Sequence, residues 1–287
     1  YGQINLTKSA IHLADAITTV SDTYAREIQT TDFGFGLQET LQARKEDLYG
    51  ILNGVDYQQW SPETDPYTYG IHYSADDLSG KRRIKSKLRA EYQLPDSDDL
   101  PLIGMTTRFV EQKGIDLITE CAEKILQLDT QMIVLGSGEP RYHDFFEWLR
   151  RSYPDRVGIY IGFNNELAHR IEAGADIFLM PSLFEPCGLN QIYSLKYGTL
   201  PIVRLTGGLA DTIEDGVNGF TFFDFTVHYF FDAAQRAIEV YRKHPDRWKQ
   251  LMITGMGQDF SWEKSAEKYL AVYNQVLGKK TYRSDPT

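Results

Sequence analysis

Apolar residues along this chain come in two rhythms that alternate. Short continuous runs recur at Ala16–Val20, Tyr49–Gly54, Leu100–Thr106, Gln131–Gly136, Val157–Gly162, Asp176–Pro181 and Leu200–Leu205. Runs of this length read as strands. Between them the apolar positions fall at helical intervals. In Gly114–Leu128 they are Ile115, Ile118, Cys121, Ala122, Ile125 and Leu126. Glu139–Tyr153, Asn165–Ala173 and Gly188–Tyr197 also read as helices. Buried strands alternating with helices predict an α/β fold with a parallel sheet covered on both faces. Such sheets bind ligands at the carboxyl ends of their strands, so the loops there are where to look for chemistry. The segment Trp60–Asp99 breaks the rhythm, since it is polar and then basic ("GKRRIKSKLRAEY"); it reads as a surface excursion ending in a helix. From Thr226 onward the chain reads as helical, with a break at His244–Trp248.

Composition narrows the function classes. The 287 residues are 42% hydrophobic and 24% charged, enough for one large or two ordinary domains with a real core. The formal charge of −10 makes nucleic acid and anionic membrane poor generic partners. No apolar run approaches the roughly 18 residues of a membrane span. Cys121 and Cys187 lack metal spacing and read as reduced thiols of an intracellular protein. The first residue is Tyr1, in what reads as the middle of an element, which suggests a fragment.

Four strand-end loops carry candidate chemistry. In "TTRFVEQKG" (Thr106–Gly114), Arg108 and Lys113 share a loop between a strand and a helix. Two cations there can neutralise a diphosphate without a metal, or simply be solvated. "VLGSGEP" (Val134–Pro140) is either a close backbone approach to a ligand or a tight turn. In "YIGFNNELAHR", Phe163 follows a strand and can stack on a base or line the rim of the core, while His169 lies in a helix and reads as structural. In "FEPCGLNQIYSLKYGTLPIVRLTGGLADT", Glu185 precedes a predicted helix start at Gly188, Leu189 and Asn190, and Thr206, Gly207 and Gly208 precede another. Helix-start amides suit phosphate oxygens. The carboxylate can bind a sugar hydroxyl, stabilise positive charge on carbon, or cap the helix. "DSDD" (Asp96–Asp99) contains an Asp-x-Asp but precedes a strand, and reads as a solvated loop.

The stretches "GILNGVDYQQWSPETDP", "RFVEQKGIDLI", "IGFNNELAHRIEAGAD" and the Glu185 segment together resemble bacterial glycogen synthases and plant starch synthases, from about Asn5 to about Leu277. The resemblance implies a glycosyltransferase-B fold, two Rossmann-like domains with the active site between them. Residues 1–50 would end the N-terminal, acceptor-side domain. Residues 51–258 would form the nucleotide-sugar domain, and residues 259–287 a helix crossing back.

The implied activity is retaining transfer of glucose from ADP-glucose to an α-1,4-glucan. Arg108 and Lys113 would hold the diphosphate, Phe163 would stack on adenine and Glu185 would be the essential acid. Asn53 would face the cleft, and the Gly188–Asn190 and Thr206–Gly208 amides would touch phosphate and sugar. Many related transferases carry a second acid eight positions after the first; here that position is Tyr193, as it is in the starch and glycogen synthases, which favours that family over sucrose- or trehalose-type enzymes.

The implied partners are ADP-glucose, the glucan and an N-terminal domain in cis or trans, with no cofactor or metal, no nucleic acid and no membrane. The family's Lys-x-Gly-Gly-Leu motif and the histidine and aspartate on its acceptor side are not in these 287 residues. About 190 residues of the family layout are thus unaccounted for. The place of action would be the cytoplasm in a bacterium and the plastid stroma in a plant or alga. The alternatives are a non-catalytic nucleotide- or glucan-binding protein and, on the incomplete glycine fingerprint, a Rossmann oxidoreductase.

Overall fold

The computed structural model describes residues 5–283. Two short strands, β1 (Ile17–Thr19) and β2 (Leu48–Gly50), pair in parallel beside three helices, α1 (Leu6–Leu13), α2 (Asp22–Glu27) and α3 (Gln38–Gln42). The main sheet contains β3 (Leu102–Phe109), β4 (Gln131–Gly138), β5 (Val157–Ile161), β6 (Ile177–Met180), β7 (Leu200–Arg204) and β8 (Phe220–Phe222). Its order is β5-β4-β3-β6-β7-β8, with every pairing parallel. The chain moves outward from β3 through β4 to β5, then returns to the other side of β3 with β6. That reversal leaves a crevice at the carboxyl ends of β3 and β6.

Helices cover both faces of the sheet. Ile103, Met105, Met132 and Val134 face α5 (Ile115–Leu126), α6 (Pro140–Ser152) and α10 (Val227–Lys243). Leu102, Ile133, Leu135 and Phe178 face α4 (Ser79–Glu91) and α7 (Asn165–Gly174). Burial on both faces is why the strands read as continuous apolar runs. The remaining helices are α8 (Asn190–Lys196), α9 (Gly207–Thr212), α11 (Pro245–Met256) and α12 (Trp262–Arg283).

Trp60–Asp99 is not a surface excursion. Asp65 and Thr68 are fully buried, and Ile71 and Tyr73 nearly so. Asp65 accepts from His169 Nδ1 at 2.8 Å, from the amide of Tyr67 and from the hydroxyl of Tyr197. The basic helix α4 turns three cations inward at i,i+4 spacing. Lys81 donates to Thr199 Oγ1 at 2.7 Å, Lys85 pairs with Asp176 at 2.6 Å, and Arg89 donates through Nε to Gln131 at 2.7 Å. Asp96, of the Asp-x-Asp, pairs with Arg89. Buried polar groups are tolerated where each finds a partner, and here they do.

One buried acid has a consequence that can be measured. Burial raises the Glu172 pKa from 4.5 to about 8, against the lowering by the Ser194 hydroxyl, 2.6 Å away, and by Lys81. The folded value lies above the unfolded one. The stability contributed is therefore complete below the unfolded value and is lost as pH rises through the folded one. Lys81, lowered by burial to about 7, acts in the opposite sense above that pH. Glu172→Gln is expected to flatten the fall in unfolding free energy between about pH 5 and pH 8, measured by urea denaturation across that range. An unchanged slope would mean that Glu172 is ionised throughout.

The C-terminal helix returns to the link after β2. Val55 donates its amide to Phe260 O at 2.9 Å, and Ser265 Oγ donates to Leu52 O at 2.6 Å. Val272 is buried, but Trp262, Leu270, Tyr273 and Leu277 are all half or more exposed. This is the apolar stripe that the helical spacing of Ser261–Leu277 predicts.

Candidate functional site

The crevice at the β3/β6 reversal is a cavity of about 590 Å³ lined by Asn53, Arg108, Lys113, Glu185, Gly188 and Asn190, among others. Lys113 ends a 3₁₀ turn (Glu111–Lys113) that follows β3. The next residue, Gly114, has φ +71°, and a Cβ there would lie 2.0 Å from the carbonyl oxygen of Pro181. Glycine is needed at that position, and its close approach pins the Lys113 turn to the end of β6.

Lys113 Nζ donates to Glu185 Oε2 at 2.5 Å, and Ser182 Oγ donates to the same oxygen at 3.2 Å. The Glu185 side chain is only 8% exposed and Lys113 18%. Gln112 ties the two loops together, donating to Phe184 O at 3.1 Å and accepting from the amide of Leu183 at 2.9 Å. Arg108 stays exposed at the mouth, where its guanidinium donates to Gln112 Oε1 at 3.2 Å.

Glu185 does not cap a helix. α8 begins at Asn190 rather than Gly188, and its N-cap, Leu189, makes no side-chain capping bond. Gly188, at φ +71°, lets the chain turn before the helix forms. Asn190 Nδ2 donates to Thr106 O at 2.8 Å, which fastens the helix start to β3. Gly188, Leu189 and Asn190 all line the cavity.

A second cavity, of about 430 Å³, shares Thr106, Thr107, Arg108 and Asn190 with the first. Phe163 lies on its lining and is 89% exposed, so it is no part of the core rim. Gly136 and Ser137 of the Gly-x-Gly also line it. The two glycines have a packing reason as well: a Cβ at Gly136 would meet Thr107 O at 2.1 Å, and one at Gly138 would meet Phe109 O at 2.1 Å. Tyr193 lines this second cavity, under Trp60, which stacks on it at 3.9 Å and on His169 at 3.7 Å. His169 is buried and structural.

Thr206, Gly207 and Gly208 lie behind Glu185 and are not on the lining of either cavity. Thr206 Oγ1 and the Gly207 amide both donate to Glu27, and the Gly208 amide donates to the carbonyls of Glu185 and Pro186. Trp60, Gln112, Ser182 and Glu27 are the residues that sequence reasoning missed. Gln112 and Ser182 carried a readable signal, their place just after a strand.

Residues 86–252 match the profile of glycosyl transferases group 1, and residues 1–43 that of the starch synthase catalytic domain. The chain belongs to the group 1 glycosyl transferases. It is 47% identical over 285 residues to glycogen synthase 1 of Geobacter metallireducens, covering 97% of this chain and 57% of the relative. It is 44% identical to glycogen synthase of Thermosipho africanus, covering 98% of this chain and 59% of the relative.

A solved structure titled as the catalytic domain of starch synthase IV from Arabidopsis thaliana bound to ADP and acarbose superimposes with a TM-score of 0.90 at 38% identity. It covers 96% of this chain and 58% of that one. Sucrose-phosphate synthase from Thermosynechococcus elongatus shares the fold, with a TM-score of 0.66 at 21% identity, covering 96% of this chain and 61% of that one. This group 1 glycosyl transferase therefore has the Rossmann-like sheet of the glycosyltransferase-B fold, and it spans somewhat more than half the length of the relatives it matches. Membership removes the oxidoreductase reading. No helix among the described residues is long and apolar enough to cross a membrane.

Proposed function

We propose that this chain is the donor side of a retaining glucosyltransferase that moves glucose from ADP-glucose to the non-reducing end of an α-1,4-glucan. The observation that carries the reading is the Lys113–Glu185 pair at the sheet's switch point, with Arg108 at the mouth of the same cavity. In this reading the diphosphate lies between Arg108, Lys113 and the Gly188–Asn190 turn. The adenine enters the second cavity, where the exposed ring of Phe163 offers a stacking face.

As the bond from sugar to phosphate breaks, negative charge grows on the diphosphate and positive charge on the sugar carbon. Lys113 and Arg108 stabilise the first, and the Glu185 carboxylate stabilises the second. The acceptor hydroxyl attacks from the face that the phosphate leaves, and the leaving phosphate takes its proton. Asn53, on the cavity wall, is placed to receive a sugar hydroxyl. No step needs a metal or a cofactor.

The boundaries follow from the same reading: residues 1–50 end an acceptor-side domain, residues 51–258 form the nucleotide-sugar domain, and the segment from residue 259, which carries α12, crosses back toward the first. Its exposed face, with Leu270, Tyr273 and Leu277, is the surface that an N-terminal domain, in cis or in trans, would bury. The test is incorporation of labelled glucose from ADP-glucose into glycogen. The chain alone is expected to incorporate none, and the chain mixed with the N-terminal portion of a relative is expected to incorporate measurably. Elongation by the purified chain alone, with contaminating synthase excluded, contradicts this division of labour. Binding of ADP with no transfer by the chain alone or by the mixture would favour the non-catalytic alternative.

A further inference from the structure

Two carboxylates join the first fifty residues to the back of the candidate site, and the reaction above uses neither. Helices α2 and α9 each carry an acid over the other's first turn. Asp211, near the end of α9, accepts from the amide of Thr23 at 3.0 Å and from its hydroxyl at 2.5 Å. Glu27, at the end of α2, accepts through Oε1 from Thr206 Oγ1 at 2.9 Å and from the Gly207 amide at 3.1 Å. Both acids satisfy donors that a helix start otherwise leaves unpaired, so the two helices are locked in register at both ends.

The turn that Glu27 holds has no slack against Glu185. The Gly208 amide donates to Glu185 O at 3.1 Å and to Pro186 O at 3.2 Å. Gly207 has φ +44°, and a Cβ there would lie 1.9 Å from Glu185 O; one at Gly208 would lie 2.0 Å from Cys187 O. A shift of the turn must therefore move the main chain of Glu185. Among the described residues the second oxygen of Glu27, Oε2, is buried with no hydrogen-bond partner, although the Arg204 guanidinium is near enough to interact with the charge. Enclosed in this way, the carboxylate has little room to leave Thr206 and Gly207.

We propose that Glu27 is a positioning residue: it holds the turn between β7 and α9 against the backbone of Glu185, and so sets where that carboxylate meets the transferred sugar. The inference rests on the reading of Glu185 given above, and it makes a separable demand. Glu27 should matter more to the sugar end of the donor than to the nucleotide end, because the turn it holds bears on the main chain of Glu185 and Cys187 and does not touch Phe163 or Arg108.

The experiment is calorimetric titration of the 287-residue chain, and of its Glu27→Ala and Glu27→Gln variants, with ADP and with ADP-glucose, alongside thermal unfolding of each. Glu27→Ala is expected to lose about tenfold in ADP-glucose affinity while ADP affinity stays within about twofold. Glu27→Gln keeps an oxygen that can accept from Thr206 and Gly207, and should recover to within about threefold. Should the alanine variant not fold, Glu27→Asp withdraws the carboxylate by one methylene and is expected to show the same split at smaller size. Parallel loss of both ligands in step with a lowered melting temperature overturns the proposal, as does unchanged ADP-glucose affinity. Failure of the unaltered chain to bind ADP would instead remove the nucleotide reading itself, and this proposal with it.

Discussion

Glu185→Gln, in an enzyme that joins this chain to the N-terminal portion its relatives have, should lower glucosyl transfer by on the order of 10²-fold or more while ADP affinity is kept. The amide preserves shape and removes charge. Nothing else within hydrogen-bonding distance of that carboxylate can take its place, since its partners are the Lys113 ammonium and the Ser182 hydroxyl, both donating. An enclosed carboxylate does more for a developing cation than a solvated one, because little water screens it. The assay is steady-state transfer to glycogen beside calorimetric ADP titration. Near-normal turnover would leave Glu185 with only its ion pair to Lys113, a structural role.

Lys113→Ala should cost more broadly. The side chain faces both the cavity and Glu185, so its loss removes a phosphate contact and strands a nearly buried carboxylate. A lost charge-assisted contact corresponds to roughly ten- to hundredfold in ADP affinity. The unpaired acid adds a destabilisation of about 2–3 kcal/mol, less than a fully buried pair would give because Lys113 keeps some exposure. Arg108→Ala should show the affinity loss without the stability loss, since Arg108 is exposed and, among the described residues, donates only to Gln112. Calorimetry and denaturant unfolding of both variants separate the two effects. Unchanged ADP affinity in both would remove these cations from the phosphate site, and equal stability losses would contradict the role given to the Lys113–Glu185 pair.

Where the chain's physics is local, the sequence was readable. The strands of the main sheet are buried on both faces, so they announce themselves as apolar runs, and the loops after β3 and β6 could be nominated before any coordinates. Lys113 and Glu185 are 72 residues apart, yet both were found by strand-end position. The three-residue β8, Phe220–Phe222, was missed. The start of α8 was placed two residues early, since the left-handed turn at Gly188 looks in sequence like a helix beginning.

The larger failure was Trp60–Asp99. Its hydropathy is that of a solvated segment, but Lys81, Lys85 and Arg89 recur at i,i+4 on the same side as Ile84 and Leu88, and all five are buried. Only the positions of their distant partners, Thr199, Asp176 and Gln131, explain that inversion. Trp60 and Glu27 were invisible for the same reason. Each owes its role to a contact more than a hundred residues away along the chain, Trp60 with His169 and Tyr193, Glu27 with Thr206 and Gly207.

On the proposed reading, the crevice between β3 and β6 binds an adenine nucleotide-sugar through Arg108, Lys113 and the Gly188–Asn190 turn. Calorimetric titration of the 287-residue chain with ADP, UDP and ADP-glucose addresses it most directly. Saturable one-to-one binding of ADP and ADP-glucose, with UDP weaker, is the expected result. Absence of heat from ADP and ADP-glucose alike, in a folded sample, would contradict it.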